Sequence, residues 1–361
     1  MKTKLLPFAS FLLLAISLSA CTSADVASSW PGLTIDAASN TAYLAYSQYV
    51  YAIDMTTGIQ KWKFPDKGKS GQVFYAPPVL TADGQLVVGS YNHTLFSLNP
   101  QTGIANNWNF KTKHRIIASP LAQDNMIYAP VADGKLYALD TSFKEVWSTP
   151  FSARGAIWAQ PSPDGQCNCF FVASMDHHLY AVDRRNGNII WDRNLGGALV
   201  GTPAFSADGK LYVGSFNNEM YTINAMTGDT IGEPFKTKGW IWAGPAFSDN
   251  RLYFGDLKGN FYVLNTQDGT SKTTTLEGAV LSTPLVVSDT VYVTTDAGNL
   301  YTLDKDGNPI KPPVVIKGKL EAPPVSYKDL ILVTPVGNPS YLIALDSKGN
   351  QVWAFPTPKA K

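Results

Sequence analysis

Gly209-Lys210-Leu211-Tyr212-Val213-Gly214-Ser215, with Tyr221-Thr222-Ile223-Asn224 shortly after it, is the stretch that decides the fold. Variants of this pair of runs recur eight times between Trp30 and the C-terminus. The copies are phased by prolines at Pro31, Pro77, Pro120, Pro161, Pro203, Pro245, Pro284 and Pro323. An internal period of about 40 residues indicates one repeated supersecondary unit whose copies pack against each other.

Each repeat contains short runs of aromatic and β-branched residues separated by turn signals. The second run of every copy ends in Asp or Asn, at Asp54, Asn99, Asp140, Asp183, Asn224, Asn265, Asp304 and Asp346. Pairs such as Asp208-Gly209 are typical of tight turns, because glycine accepts the positive φ that such turns need. A repeat has room for four strands and shows no helical period, so the sequence predicts an all-β, eight-bladed β-propeller of four-stranded antiparallel blades. The alternative is an open solenoid, whose repeats are usually shorter or contain helix.

Tryptophans near the end of several repeats support the same architecture. They follow a Gly turn and lie on the predicted outermost strand, at Trp62, Trp108, Trp147, Trp191 and Trp353. We expect each of these rings to cover the neighbouring blade. The fifth, sixth and seventh copies lack this residue, so we expect their junctions to be less well sealed.

The chain has 361 residues, and eight blades account for nearly all of it. We expect residues 1–20 to be a lipoprotein signal peptide, 21–29 a lipidated cysteine with its tether, and 30–361 the propeller. The net charge is +1 and no tract of Lys or Arg occurs. The composition therefore argues against nucleic acid as a partner.

The N-terminus has the layout of a targeting segment. Lys2 and Lys4 precede an apolar stretch over residues 5–18, and Leu18-Ser19-Ala20-Cys21 resembles a bacterial lipobox. This pattern predicts that Cys21 carries lipid, such as palmitate, and holds the propeller at a membrane outside the cytoplasm. Thr22 follows the cysteine, and an Asp does not, which favours the periplasmic side of the outer membrane if the cell is Gram-negative. The alternative is an ordinary signal peptide that ends near a cysteine.

Catalytic and metal-binding signals are weak. No His lies beside a recognisable Ser or Cys nucleophile motif, and no phosphate loop or dinucleotide motif occurs, so we predict no catalytic residues and no metal. Cys167 and Cys169 could form a disulfide or could be two small apolar residues. His177 and His178 follow them, but they occupy a hairpin position that other repeats fill with Asn or His. Asp304-Lys305-Asp306-Gly307-Asn308 lies at a repeat turn and lacks the later Glu of a calcium loop.

The predicted loops between blades are basic and aromatic. They supply a candidate binding face formed by Phe74, Arg115, Arg154, Trp158, Lys238, Trp240 and Trp242. Aromatic residues and arginine dominate the energetics of protein interfaces. The alternative is that the tryptophans close the mouth of the central channel as core, and both roles can coexist. The opposite face carries an Asp in each first-strand turn, which turn chemistry explains.

The repeats resemble those of the pyrroloquinoline-quinone (PQQ) family, in forms such as Ala52-Ile53-Asp54-Met55-Thr56-Thr57-Gly58-Ile59-Gln60-Lys61-Trp62. The resemblance covers residues 30–356. One branch of the family contains quinoprotein dehydrogenases that hold PQQ and calcium in the central funnel. A second branch contains BamB-type lipoproteins of the outer-membrane β-barrel assembly machinery, which bind proteins and no cofactor.

This chain departs from the dehydrogenases. Their adjacent cysteine pair is interrupted here by Asn168, and none of their calcium-binding or catalytic residues can be matched. The resemblance therefore implies a membrane-anchored scaffold that binds envelope or membrane proteins, without PQQ or calcium and without enzymatic activity. The alternatives are a PQQ-dependent dehydrogenase and a carbohydrate-binding propeller.

Overall fold

The protein is built entirely from short antiparallel strands. The structure, a computed structural model, describes residues 30–164 and 167–357. These residues form eight four-stranded sheets, each made from four strands in chain order, so that each sheet is one blade. This arrangement confirms the predicted eight-bladed β-propeller. None of the described residues forms a helix that could cross a bilayer.

The strands of the first four blades follow the repeat boundaries. Blade 1 contains β1 (Gly32–Asp36), β2 (Thr41–Tyr46), β3 (Tyr49–Asp54) and β4 (Gln60–Phe64). Blade 2 contains β5 (Val79–Leu80), β6 (Leu86–Ser90), β7 (Thr94–Leu98) and β8 (Ala105–Lys111). Blade 3 contains β9 (Leu121–Gln123), β10 (Met126–Pro130), β11 (Lys135–Asp140) and β12 (Phe151–Ser152). Blade 4 contains β13 (Ser162–Asp164), β14 (Cys169–Ala173), β15 (His178–Asp183) and β16 (Ile189–Asn194).

The remaining four blades repeat this order. Blade 5 contains β17 (Ala204–Phe205), β18 (Lys210–Gly214), β19 (Glu219–Asn224) and β20 (Phe235–Lys236). Blade 6 contains β21 (Ala246–Ser248), β22 (Arg251–Gly255), β23 (Asn260–Asn265) and β24 (Ser271–Thr275). Blade 7 contains β25 (Leu285–Val287), β26 (Thr290–Thr294), β27 (Asn299–Asp304) and β28 (Val314–Val315). Blade 8 contains β29 (Val325–Tyr327), β30 (Leu330–Val333), β31 (Leu342–Leu345) and β32 (Gln351–Phe355).

The hydrophobic core lies between blades, because both faces of the second and third strands are covered by neighbours. Eight clusters of buried side chains each combine residues of two adjacent blades. At the junction of blades 4 and 5, for example, Leu179 of β15 packs with Leu211 and Val213 of β18. The short β-branched and aromatic runs of the repeat are these buried strands, which explains why their apolar residues are nearly continuous.

The ring closes between blade 8 and blade 1 without exchange of a strand. The Tyr46 and Tyr341 rings stack with centroids 4.4 Å apart, and the Tyr46 hydroxyl donates to Pro335 O at 3.2 Å. The Trp353 indole donates to Met55 O at 3.2 Å across the same junction. Side-chain packing and side-chain hydrogen bonds therefore join the two ends of the chain.

Four of the five expected tryptophans cover the next blade in one common way. In the following blade, the turn between the third and fourth strands begins with an Asp or Asn and contains a glycine. Each tryptophan ring lies on that glycine. Its indole N–H donates to the carbonyl of the residue that directly follows the Asp or Asn. The bonds are Trp62 to Pro100 O at 2.9 Å, Trp147 to Arg184 O at 3.0 Å, Trp191 to Ala225 O at 3.1 Å and Trp353 to Met55 O at 3.2 Å. The glycines are Gly103, Gly187, Gly228 and Gly58, and a Cβ on any of them would meet the ring within 2.7 Å.

Trp108 departs from this expectation, because its side chain is 43% exposed. The following blade has a shorter turn, in which Phe143 takes the positive φ of 63° that glycine takes elsewhere. Phe143 is itself buried in the cluster between blades 2 and 3. The turn therefore offers no glycine on which the Trp108 indole could lie.

Small residues line the central channel, where the innermost strands approach each other closely. A Cβ on Gly32 would lie 2.1 Å from the backbone of Ala76 and Pro77, and one on Gly244 would lie 2.2 Å from Thr202 O. Side chains larger than hydrogen at these positions would push adjacent blades apart. The first strands of blades 2 and 8 begin after Pro78 and Pro324, so the second proline of each pair matches the single prolines of the other repeats.

Candidate binding face

The loops between blades are held on one face by the hairpins between second and third strands. In each of these contacts, the second residue beyond a blade's second strand donates its backbone N–H to the loop of the preceding junction. Examples are Met175 to Ala156 O at 3.0 Å, Phe216 to Ala198 O at 3.1 Å and Leu257 to Trp240 O at 3.0 Å. Backbone bonds of this kind hold the loop backbones on the sheets, so the loops are in place before any partner binds.

Three tryptophans from separate loops meet over the central channel. The Trp30 ring lies 5.7 Å from Trp242 and 6.4 Å from Trp158, and Trp158 lies 6.3 Å from Trp242. All three rings are half-buried. Tilted and edge-to-face contacts at these distances stabilise aromatic clusters. The tryptophans therefore cover the channel, as one of the two expected roles requires, and they also leave part of their ring surface open to solvent.

Two aromatic rows extend from this cluster across the face. On one side, Tyr75 contacts Trp30 at 5.8 Å and Tyr91 at 5.5 Å, and the Arg115 guanidinium lies 4.6 Å from the Tyr91 ring centroid. The row therefore ends in a cation–π contact.

On the other side, Phe216 stacks on Trp242 at 5.6 Å and on Trp240 at 5.1 Å. Trp240 is 51% exposed. The result is a continuous aromatic surface from blade 2 to the loop between blades 5 and 6.

Phe74 does not belong to this surface. Its side chain is fully buried between Phe64 and Phe96 in the junction of blades 1 and 2. Trp158 and Trp242 each lie three residues before the proline of their repeat. Phe74 has this spacing from Pro77, but the proline that matches the other repeats is Pro78. The residue three positions before Pro78 is Tyr75. That residue is the one whose ring joins the cluster.

Arg154 is exposed, and the loop that carries it is fixed from below. Its backbone N–H donates to the Asp176 carboxylate at 2.8 Å, which also accepts from the Tyr180 hydroxyl at 2.7 Å. Burial alone would raise the pKa of Asp176, but the bonds from Tyr180 and from the His178 and Arg154 amides outweigh it and lower the pKa. The Arg154 guanidinium lies 3.7 Å from Asp192 and 3.3 Å from the His178 ring nitrogen.

Lys238 is held in the same manner two blades further on. Its backbone N–H donates to the Tyr262 hydroxyl at 2.9 Å, and that hydroxyl donates to Asp256 at 2.8 Å. Burial, together with the bond to Asp256, raises the pKa of Tyr262. The Lys238 side chain remains exposed beside Trp240. A Tyr–Asp pair of the following blade therefore supports both loops, through the carboxylate at Arg154 and through the hydroxyl at Lys238.

The opposite face is acidic through its turns, and these carboxylates serve local structure. Asp36 accepts the Ala38 amide at 3.0 Å, and Asp208 accepts from Ser206 at 2.5 Å and pairs with Lys210 at 2.7 Å. The carboxylate of Asp304 likewise accepts the Asp306 and Asn308 amides at 3.0 and 2.7 Å. This set of contacts is turn chemistry, as expected.

Beneath the tryptophans lies a funnel of about 330 Å³, lined by residues from all eight blades. Glu321 is the one ionisable acid or base in the described lining apart from Tyr75. PQQ is a tricarboxylate, so a pocket for it needs basic side chains or a bound cation. The described lining contains no Lys, Arg or His, so its residues do not fit PQQ. In residues 30–164 and 167–357, no three His, Cys, Asp or Glu side chains are grouped so that they could hold a metal.

The structure places a disulfide bond between Cys167 and Cys169, whose Cα atoms are 5.2 Å apart. The intervening Asn168 has a positive φ of 50°, which supplies the local bend that a bridge over two residues needs. Cys21 lies outside the described residues, as do the expected signal peptide and tether.

Sequence reasoning missed three aromatic members of the face: Tyr75, Tyr91 and Phe216. A signal for two of them is present. Tyr91 and Phe216 each follow a Gly-Ser pair at the end of a second strand, Gly89-Ser90 and Gly214-Ser215. This position begins the hairpin that contacts the preceding loop, so an aromatic residue there lies beside the loop tryptophans.

Comparisons with known proteins agree with this architecture. The family model described as outer membrane protein assembly factor BamB matches residues 47–230 and 232–310. The structure of BamB from Moraxella catarrhalis is similar with a TM-score of 0.70 and 17% identity, over 84% of this chain and 92% of that one. The computationally designed Ika8 protein is similar with a TM-score of 0.73 and 14% identity, over 88% and 96% of the two chains. No curated protein sequence matches this chain. Because the family model covers well over half of the chain, the protein belongs to the outer membrane protein assembly factor BamB family.

Proposed function

We propose that this protein is a non-enzymatic scaffold that binds envelope proteins during outer-membrane protein assembly. The observation that carries the proposal is the aromatic surface that runs from Tyr91 through the Trp30, Trp158 and Trp242 cluster to Trp240. Its family, that of the outer membrane protein assembly factor BamB, supplies the biological setting.

The physical basis of binding is a rigid surface with aromatic anchors. Tryptophan and arginine supply most of the energy at protein interfaces, and a surface that is ordered beforehand loses little entropy when a partner docks. Exposed Arg115, Arg154 and Lys238 flank the rings, so a partner with acidic side chains around an apolar patch is the best match.

The location proposed is the periplasmic side of a membrane, with Cys21 as the lipid-bearing residue. The lipobox-like Leu18-Ser19-Ala20-Cys21 supports this part of the proposal. We also propose that neither PQQ nor calcium is a cofactor. The funnel lining lacks the basic groups that a tricarboxylate requires, and Glu321 is the one carboxylate in the described lining that could ligate calcium.

Site-specific photo-crosslinking in bacterial envelopes tests the scaffold role. A photo-reactive residue at Trp240 should crosslink to an outer-membrane protein or to a component of its assembly machinery, identified by mass spectrometry. The matched control places the same residue at Met226, which is exposed in a third-to-fourth-strand turn on the opposite face. Adding Arg154→Ala and Lys238→Ala should weaken the crosslink several-fold while the circular dichroism spectrum is unchanged.

Equal crosslinking at Trp240 and Met226 would contradict the assignment of this face. A partner unrelated to outer-membrane proteins would contradict the setting but leave the binding surface in place. Stoichiometric binding of PQQ with calcium, followed by dye-linked dehydrogenase activity, would overturn the non-enzymatic role.

A further inference from the structure

The junction of blades 5 and 6 contains a tryptophan site without a tryptophan. We define a tryptophan site as the glycine of a third-to-fourth-strand turn together with the carbonyl of the residue after the turn's leading Asp or Asn. Five blades have a turn of the same length, with glycine N–H donating to the Asp or Asn carbonyl at 2.8–3.0 Å. The five glycines have φ between 71° and 77° and are Gly58, Gly103, Gly187, Gly228 and Gly269.

Four of these sites hold an indole from the preceding blade, and the fifth does not. A Cβ on Gly269 would meet no heavy atom within 4 Å, whereas the same atom on Gly228 would lie 2.6 Å from the Trp191 ring. The acceptor of the fifth site is Thr266 O, by the spacing that gives Ala225 O in blade 5. No hydrogen bond of the described residues ends on this oxygen.

The residue that stands where Trp191 stands in blade 4 is Ile231. Trp191 pairs with Ala181, the fourth residue of the third strand of blade 4. Ile231 donates its N–H to the carbonyl of Thr222, the fourth residue of the third strand of blade 5. Ile231 is 39% exposed and is too short to cover Gly269.

The uncovered space is a cleft of about 450 Å³. Its rim is charged, and apolar side chains of both blades form its walls. The lining includes Met220, Ile231, Phe235, Leu264, Thr266 and Gly269. The buried cluster of this junction contains six residues, against fourteen between blades 4 and 5. The cleft is therefore the space that the missing indole leaves, and it is open to solvent along the side of the ring.

We propose that this cleft binds a tryptophan side chain of a partner polypeptide, which would stack on Gly269 and donate its indole N–H to Thr266 O. The chain itself shows what fits, since four sites of the same geometry each hold an indole. Residues 1–29, 165–166 and 358–361 contain no tryptophan, so the occupant does not come from them. The cleft lies at the side of the disc, and the proposal does not depend on the binding face over the channel.

The test is a titration of the full-length protein, carrying ¹³C-labelled methionine and isoleucine methyl groups, with N-acetyl-tryptophanamide. The Met220 methyl lies in the wall and should shift saturably, with a dissociation constant in the millimolar range because one indole buries little surface. N-acetyl-leucinamide should shift it at least ten-fold less. Ile231→Trp should fill the cleft and abolish the shift, and Ile231→Phe provides a smaller filling variant if the first does not fold.

The matched control is Ile190→Trp, which adds an indole to an exposed position of the blade 4 edge and should leave the Met220 shift unchanged. No saturable shift, or an equal shift in the Ile231→Trp protein, would overturn the proposal. Self-association that both Ile231→Trp and Trp108→Ala abolish would also overturn it, because the occupant would then be a second copy of the chain. The absence of a crosslink at Trp240 would not change the expected Met220 shifts, so this proposal and the proposed scaffold role can fail separately.

Discussion

The junctions on the two sides of blade 5 are built from the same repeat but are sealed differently. Between blades 4 and 5, Trp191 lies on Gly228 and donates to Ala225 O. Between blades 5 and 6, Gly269 faces an open cleft. The backbone turn is the same in both, so the turn does not depend on the indole. The turn and the strands therefore determine blade geometry, and one side chain contributes the sealing of the junction separately.

The largest expected effect is from Trp191→Ala, which would make the first junction resemble the second. Trp191 is 8% exposed and loses both its packing and its hydrogen bond, so the free energy of unfolding should fall by about 3–5 kcal/mol. Equilibrium unfolding in urea measures it. Trp108→Ala is the control, because that ring is exposed and its removal should cost less than about 0.5 kcal/mol. Equal losses in the two variants would show that indole sealing is not a stabilising feature.

A pair of glycine variants isolates the contact of the ring from the strain of the turn. Gly228 and Gly269 have φ of 73° and 72°, so replacement by Ala strains both backbones alike. Only at Gly228 would the new methyl group lie within 2.6 Å of Trp191. Gly228→Ala should therefore lower the free energy of unfolding by about 1–3 kcal/mol more than Gly269→Ala does. Identical values in urea unfolding would contradict the difference between the junctions.

The smallest expected effect is that of removing a tyrosine hydroxyl from each junction, which tests whether the two junctions differ beyond the tryptophan site. Tyr221 and Tyr262 hold equivalent third-strand positions in the two buried clusters. Burial, together with the bond to Glu219, raises the pKa of Tyr221 from 10.0 to about 12. A raised pKa means that the stabilisation is complete below pH 10 and is lost as the pH rises to about 12.

Tyr221→Phe should therefore cost about 0.5–1.5 kcal/mol below pH 10 and should remove that part of the alkaline decline. Urea unfolding at a series of pH values from neutral to alkaline measures both effects. Tyr262→Phe should behave in the same way, because burial and a carboxylate also raise the pKa of Tyr262. A clear difference between the two variants would mean that the junctions differ beyond the tryptophan site.

The sequence predicted the ring of eight blades because each repeat carries its own strand and turn signals. It could not predict every tryptophan contact, since docking depends on the turn of the following blade. Trp108 has the expected spacing, but Phe143 occupies the partner turn. The expectation of a weaker junction after blade 5 agrees with the cleft at Gly269.

The candidate face was predicted less completely, because it is assembled from segments far apart in the chain. Loop residues such as Trp158 and Trp242 were found by their position relative to the repeat prolines. Phe74 was placed wrongly, since a Pro-Pro pair shifts the count by one residue and reverses the side to which a side chain points. The contact of Trp30 with both loop tryptophans joins positions more than a hundred residues apart, and periodicity alone carries no such information.

The closure of the ring determines when the surface of blade 1 can be buried during synthesis. Trp353 and Met55 are 298 residues apart, and the side of blade 1 that faces blade 8 is fully covered only when blade 8, with β32 as its last strand, is in place. No strand of blade 1 waits for a partner from the C-terminus, so that blade can form its own sheet as soon as it emerges. Its surface of Tyr51, Ile53 and Met55, however, remains uncovered until blade 8 has been made. A chain that stops before blade 8 therefore leaves this apolar surface exposed to solvent, where it can promote association with other chains.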